Sequence, residues 1–126
     1  MFEKIHGLQH IGLPSVRTDE TVEFYEAIGF TLKGRFFNPN NGTYVRFMEK
    51  GGLVIEIYEA EEGEKLPGAI DHIALDVEDL DALHAYAVEK GFNIVEEGSL
   101  PFWDNGIRYF TVLGPNNEKV EFSEML

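Results

Sequence analysis

The chain has no cysteine. Disulfides, thiolate metal sites and a thiol nucleophile are therefore excluded, and any metal must be held by His, Asp or Glu. Cations are also scarce, ten Lys and Arg against 23 Asp and Glu, for a formal net charge of −13. A surface of that sign repels nucleic acid; it can draw in a cationic ligand or a divalent ion, although solubility alone accounts for such a charge in many proteins. No stretch approaches the roughly 18 apolar residues of a membrane span. The start, Met1-Phe2-Glu3-Lys4-Ile5-His6, lacks the basic and apolar regions of a signal peptide, so the cytoplasm is the expected location.

What the chain does contain is the same pattern twice. His10-Ile11-Gly12-Leu13, an acidic stretch and Gly29-Phe30 are matched by His72-Ile73-Ala74-Leu75, a second acidic stretch and Gly91-Phe92. The offset is 72 − 10 = 62, and Phe24/Tyr86 and Arg46/Arg108 keep it. Each half also ends with a glutamate inside an apolar run, Val54-Ile55-Glu56-Ile57 and Val120-Glu121-Phe122. The second arrives late, at 121 − 56 = 65, because Gly114-Pro115-Asn116-Asn117 makes a longer turn. Length and 44% apolar content suit one compact domain or two small paired units.

Within each half the predicted order is strand, helix, strand, strand, strand. The first module spans 5–59, with strands at 8–14, 30–37, 43–49 and 53–59 and a helix between the first two. Pro14 is read as ending the first strand, Thr18 as the helix N-cap and Gly29 as the residue just past its end. An acidic linker occupies 60–68. The second module spans 69–126, with strands at 70–77, 92–97, 106–112 and 119–124 and a helix at 79–90 capped by Asp79 and stopped by Gly91.

Alternation along strands puts His10 on one face with Leu8 and Gly12, and His72 with Ile70 and Ala74, so each imidazole has a small neighbour beside it. Glu56 shares its face with Val54 and Tyr58, where a carboxylate costs several kcal/mol unless a partner or cation compensates it. A duplicated unit that keeps one nitrogen and one oxygen donor per copy is a natural source of one divalent metal site. A lone strand histidine or glutamate is usually structural or solvent-facing; two of each at repeated positions are not. His6 and His84 lack such pairing and read as structural or exposed.

These residues resemble the vicinal oxygen chelate superfamily, over nearly the whole chain. The resemblance implies an α+β fold in which two tandem βαβββ modules form a cupped, eight-stranded mixed sheet with helices outside. The set His10, Glu56, His72, Glu121 is similar to the His/Glu/His/Glu metal ligands of lactoylglutathione lyase, glyoxalase I. It implies a divalent metal (Ni, Co, Zn or Mn), a hemithioacetal or related α-oxo substrate, and isomerisation through an enediolate. Glu121 would be the base, with Glu56 its pseudo-symmetric alternative. A homodimer is expected. Two positions depart from the bacterial lyases: Pro14 and Ala60 stand where an arginine and an asparagine contact glutathione, which leaves another thiol carrier, a coenzyme A thioester or a different α-oxo compound open.

Other readings compete. A metal-free drug-binding protein resembling the bleomycin-resistance branch is favoured by the acidic charge and by Phe36, Phe37, Phe102 and Trp103, but has no need of the four donors. An Fe(II) dioxygenase uses two histidines and one carboxylate, and a fourth protein ligand obstructs it. Arg46 and Arg108 are either substrate clamps or, with so many carboxylates near, structural ion pairs. Phe102, Trp103 and Asp104 precede Gly106 in a long loop that either walls a pocket or packs a dimer contact.

Overall fold

The computed structural model describes residues 3, 8–39, 41–61 and 72–126. The chain divides into two compact units, residues 1–64 and 65–126. Of the expected linker at 60–68 only Ala60 and Glu61 fall among the described residues, and His6 lies outside them.

The first unit runs β1 (Ile11–Ser15), α1 (Thr18–Ala27), β2 (Thr31–Asn38), β3 (Thr43–Lys50) and β4 (Leu53–Glu59). The second runs β5 (His72–Asp76), α2 (Leu80–Lys90), β6 (Asn93–Leu100), β7 (Ile107–Leu113) and β8 (Lys119–Met125). Each is the expected βαβββ module, α+β in class, and the eight strands fall into two four-stranded mixed sheets ordered β1-β4-β3-β2 and β5-β8-β7-β6. In both sheets the first strand of the module pairs parallel to the last, while the hairpins between are antiparallel. A parallel pair needs a long crossover, here supplied by the helix and the two following strands.

One face of each sheet is the core. In the first unit Met48, Ile55 and Ile57 are buried, with Tyr25 of α1 and Phe30 beside the helix end. In the second, Phe110, Val112, Val120 and Phe122 are buried, as are Leu80 and Ala87 of α2. Because side chains alternate, burying Ile55 and Ile57 under α1 turns Glu56 to the opposite face, and burying Val120 and Phe122 does the same to Glu121.

Two local expectations are corrected. Pro14 does not end the first strand, which continues to Ser15. β1 is the outer strand of its sheet, where a missing N–H is tolerated. Nor is Thr18 the N-cap: it is the first helical residue of α1, the cap position is Arg17, and no side chain caps it. Ser15 anchors the helix start instead. Its buried Oγ accepts from the Arg17 N–H at 3.0 Å and shares a 2.9 Å bond with Thr21 Oγ1, which donates to the Arg17 carbonyl at 2.7 Å. The three bonds close a small circuit that fixes the chain at the entry to α1 without a side-chain N-cap.

α2 behaves as the sequence implied. Asp79 Oδ1 accepts from Ala82 N–H at 3.3 Å, and Gly91 ends the helix at φ 73°, the left-handed conformation that glycine adopts without a Cβ penalty. Glu124 adds a second cap from β8, accepting from the Asp79 N–H at 3.0 Å.

Ile57→Ala, which empties a fully buried site, is expected to lower unfolding free energy by about 2–4 kcal/mol. Gly91→Ala, which forces a Cβ into the left-handed region, is expected to cost about 1 kcal/mol. Urea denaturation followed by circular dichroism measures both.

Candidate functional site

The parallel pairing sets the first half of the site. Gly12 lies beside Glu56 in the β1/β4 register, so His10, two residues earlier and just before β1, comes onto the Glu56 face. His10 Nε2 stands 3.8 Å from Glu56 Oε1, both side chains part-buried. On its other side, His10 Nδ1 donates to Gln9 Oε1 at 2.7 Å. An amide oxygen only accepts, so Nδ1 carries a proton; in the neutral imidazole that leaves Nε2, which faces the carboxylate, as the nitrogen with the lone pair. Two electron-rich atoms at that distance are compensated by a proton or a cation between them.

The second unit repeats the arrangement. Ala74 lies beside Glu121, and His72, the first residue of β5, has Nε2 3.4 Å from Glu121 Oε2. Two ligands each about 2.1 Å from one ion, at tetrahedral or octahedral angles, are about 3.0–3.4 Å apart. Both pairs are at or near that separation. Each unit thus brings together its own imidazole and carboxylate. Among the described residues, no group of three or more His, Asp or Glu side chains gathers in a metal-holding arrangement.

The surroundings of the two pairs differ. In the first unit the His10 ring meets Phe47 edge-on at 5.7 Å, and Phe47 meets Phe36 at 6.0 Å. The small residue beside the imidazole, Gly12, does not open space there: the Tyr58 ring fills it, with Cε1 3.4 Å from where a Cβ would stand. In the second unit the corresponding face is polar. Tyr109, one residue from Phe110 of the core face, donates its phenol to Glu96 Oε1 at 2.9 Å. That bond to a carboxylate, together with desolvation, pushes the Tyr109 pKa above the usual phenol range. Sequence reasoning named Phe36 only as an aromatic favouring drug binding and singled out neither Gln9 nor Phe47, although the alternation that placed Glu56 with Tyr58 extends across β3 and β2.

Arg46 and Arg108 belong to the opposite face. Arg46 pairs in register with buried Ile57, and its Nη2 donates to Asp19 at 3.2 Å; Arg108 donates to Asp81. Asp19 and Asp81 keep the offset, 81 − 19 = 62, and both lie in the first turn of their helices. The repeated arginines therefore tie sheet to helix, as the structural reading expected, and do not clamp a ligand beside the histidines. The hydrogen bond from Arg108, reinforced by its charge, holds the Asp81 carboxyl below the usual carboxylate range.

His84 is, as expected, a part-exposed side chain in a structural contact. Its Nε2 is 2.6 Å from Glu97 Oε2 and its ring stands edge-on to Phe110 at 5.2 Å. With Arg108 and Asp81 they line a cleft of about 550 Å³ on the α2 side of the second sheet. No helical spacing links residues 84 and 97; the fold of β6 under α2 does. Phe102 and Trp103 are both exposed, Trp103 at 77%.

Comparison with known proteins adds the following. The sequence profile of the Glyoxalase/Bleomycin resistance protein/Dioxygenase superfamily matches residues 7–122. Uncharacterized protein YwbC of Bacillus subtilis (strain 168) is 31% identical over 121 residues, covering 91% of this chain and 94% of the relative. Among solved structures, the fosfomycin resistance protein FosX from Listeria monocytogenes, complexed with Mn(II) and sulfate ion, superposes with a TM-score of 0.76 at 18% identity, covering 97% of this chain and 94% of that one. The glyoxalase family protein from Enterococcus faecalis gives 0.75 at 18% identity over 98% of this chain and 100% of that one. At such identities the two structures share the fold alone. No described helix is long and apolar enough to cross a membrane.

The Asp81–Arg108 pair carries a pH signature. A carboxyl held below its ordinary value stabilises the fold above the unfolded aspartate pKa of about 3.9, and that contribution disappears as pH falls through the folded value. The stability gap between wild type and Asp81→Asn is expected to be open at neutral pH and to close on acidification. Denaturation at a series of pH values measures it, and a gap independent of pH is the contrary result.

Proposed function

The chain belongs to the Glyoxalase/Bleomycin resistance protein/Dioxygenase superfamily, and on that premise we propose that it is a cytoplasmic, homodimeric, divalent-metal-dependent lyase or isomerase of the glyoxalase kind. Its substrate is a hemithioacetal or a related α-oxo compound. His10, Glu56, His72 and Glu121 hold one ion, drawn from one chain or from two copies.

The observation that carries this reading is the repeated pairing. Each module sets an imidazole nitrogen against a carboxylate oxygen, at 3.8 Å in one and 3.4 Å in the other, on the face turned from its core. The donor chemistry fits a borderline divalent ion: two neutral imidazoles and two carboxylates balance a charge of +2, and nickel, cobalt, zinc and manganese all accept such a set. Mn(II) is present in the FosX structure, a protein of the same fold.

A bound ion of this kind supplies Lewis acidity, favouring negative charge as it develops on two adjacent substrate oxygens. The chain's own groups do the rest. Glu121, or Glu56 as its counterpart in the first module, takes the proton from the carbon beside the carbonyl and returns it to the neighbouring carbon. Gln9 keeps His10 in the tautomer whose Nε2 is a ligand. The aromatic surround of the first pair offers apolar surface beside the reacting carbon, and the thiol portion of the substrate has no assigned contact.

One set of observations favours a second reading, metal-free binding of a drug. Phe36, Phe37, Phe102 and Trp103 are all more than half exposed on a chain of net charge −13.

Metal analysis after purification without chelator separates the two. Wild type is expected to hold about one ion per chain, His10→Ala to bind it at least about tenfold more weakly, and Gln9→Ala to show a smaller loss. Glu121→Gln is expected to reduce turnover of methylglyoxal hemithioacetals at least about 100-fold, with metal removal by chelator doing the same reversibly. A wild type that takes up none of the four metals overturns the metal site and leaves the drug-binding reading. A stoichiometric ion with no turnover on any hemithioacetal removes the lyase.

A further inference from the structure

Gly34 sits on the Glu56 face of the first sheet, opposite Phe47 in the β2/β3 register. Its backbone φ is not in the left-handed region, and the β2/β3 register shifts just before it, between Leu32 and Gly34. A Cβ on Gly34 would stand 2.6 Å from Phe36 Cε2 and 2.9 Å from Cζ, too close for a real contact, so any side chain there would push the Phe36 ring from its place over the glycine. The ring is 59% exposed even so. It continues the row that starts at the metal-facing imidazole, His10 to Phe47 to Phe36, with Tyr58 on the other side of Glu56.

The cations that flank this row in sequence are already committed. Lys33 Nζ is 2.7 Å from Glu49 Oε2, the Arg35 guanidinium lies 3.6 Å over the Tyr44 ring, and Arg46 is bound to Asp19. An anionic tail on a ligand would meet Glu56 and find no free cation among these three. An uncharged hydrocarbon tail would exchange water for ring surface.

We infer that the Phe47–Phe36 row, seated over Gly34, is the specificity wall beside the His10–Glu56 pair, and that the substrate carries an uncharged aryl or branched alkyl group next to its two adjacent oxygens. The inference rests on the metal reading above and narrows its substrate class. Phe36 touches the ligand; Gly34 is a positioning residue that acts through it.

The test uses two probes that chelate through adjacent oxygens and differ only in the tail, acetohydroxamate and benzohydroxamate, titrated calorimetrically into the metal-loaded protein. After subtraction of the preference shown by the aqueous ion, benzohydroxamate is expected to bind about tenfold tighter to wild type. Phe36→Ala is expected to shrink that ratio below about threefold, and Gly34→Ala, which removes no ring but displaces that of Phe36, to do the same. Phe36→Leu is expected to restore part of it. Equal affinities in wild type, or a ratio that neither variant moves, overturn the wall while leaving the metal centre standing. A Phe36→Ala protein whose sedimentation mass halves with the ratio intact also overturns it, because the ring is then covered by a second copy. Failure of the wild type to retain an ion or bind either hydroxamate overturns the metal reading, and this inference with it.

Discussion

The constraint on which the rest depends is the parallel pairing of the first and last strand of each module. A βαβββ unit brings residues more than forty positions apart into neighbouring rows, Gly12 beside Glu56 and Ala74 beside Glu121. The two-residue period of a strand then does the placing. Whatever packs the isoleucines of β4 or the valine and phenylalanine of β8 beneath a helix must turn the intervening glutamate outward, and the histidine two residues before the paired small residue turns with it. Core formation and the assembly of the donor pair are one event, because a slip of one residue would bury both polar groups and expose the core.

The two modules have kept this scaffold while diverging on it. Arg46 and Arg108 have the same sequence offset as the histidines, yet Arg46 lies opposite Ile57, one residue past Glu56, and Arg108 opposite Glu124, three past Glu121. The longer β7–β8 turn sets a different hairpin register, since loop length fixes which rows face each other. Both arginines nevertheless reach an aspartate in the first turn of the helix above, because a long flexible side chain tolerates the shift of a row. A carboxylate on a short tether against an imidazole does not. The imidazole–carboxylate pairs accordingly keep their parallel register in both copies, while the hairpins drift.

Chemistry on the outward faces has drifted further. Phe47, Phe36 and Tyr58 make the first face apolar; Tyr109 and Glu96 make the second polar. The two copies of the scaffold thus keep the same imidazole–carboxylate pair and set it in different surroundings. Gly34 shows how small the sequence change behind such a difference can be: the absence of one Cβ lets a phenylalanine ring lie against the sheet.

Much of this was legible in the residues alone. The repeat, the strand–helix–strand–strand–strand order, the Asp79 and Gly91 caps and the four donors follow from periodicity and local turn chemistry, which depend on neighbours close in sequence. Pro14 and Thr18 were misread: Pro14 lies on an outer strand where no N–H is needed, and the Ser15 hydroxyl at the end of β1, not Thr18, accepts the N–H of the Arg17 cap residue. The Glu97 that meets His84 is brought there by β6. The sequence by itself determined which residues are strand and helix and which imidazoles and carboxylates repeat, since alternation and capping are written in spacing. Only the tertiary structure decided the β-pairing registers, how closely each histidine Nε2 approaches its carboxylate, and which side of each sheet the arginines occupy, because each of these is fixed by contacts between rows that no local pattern encodes.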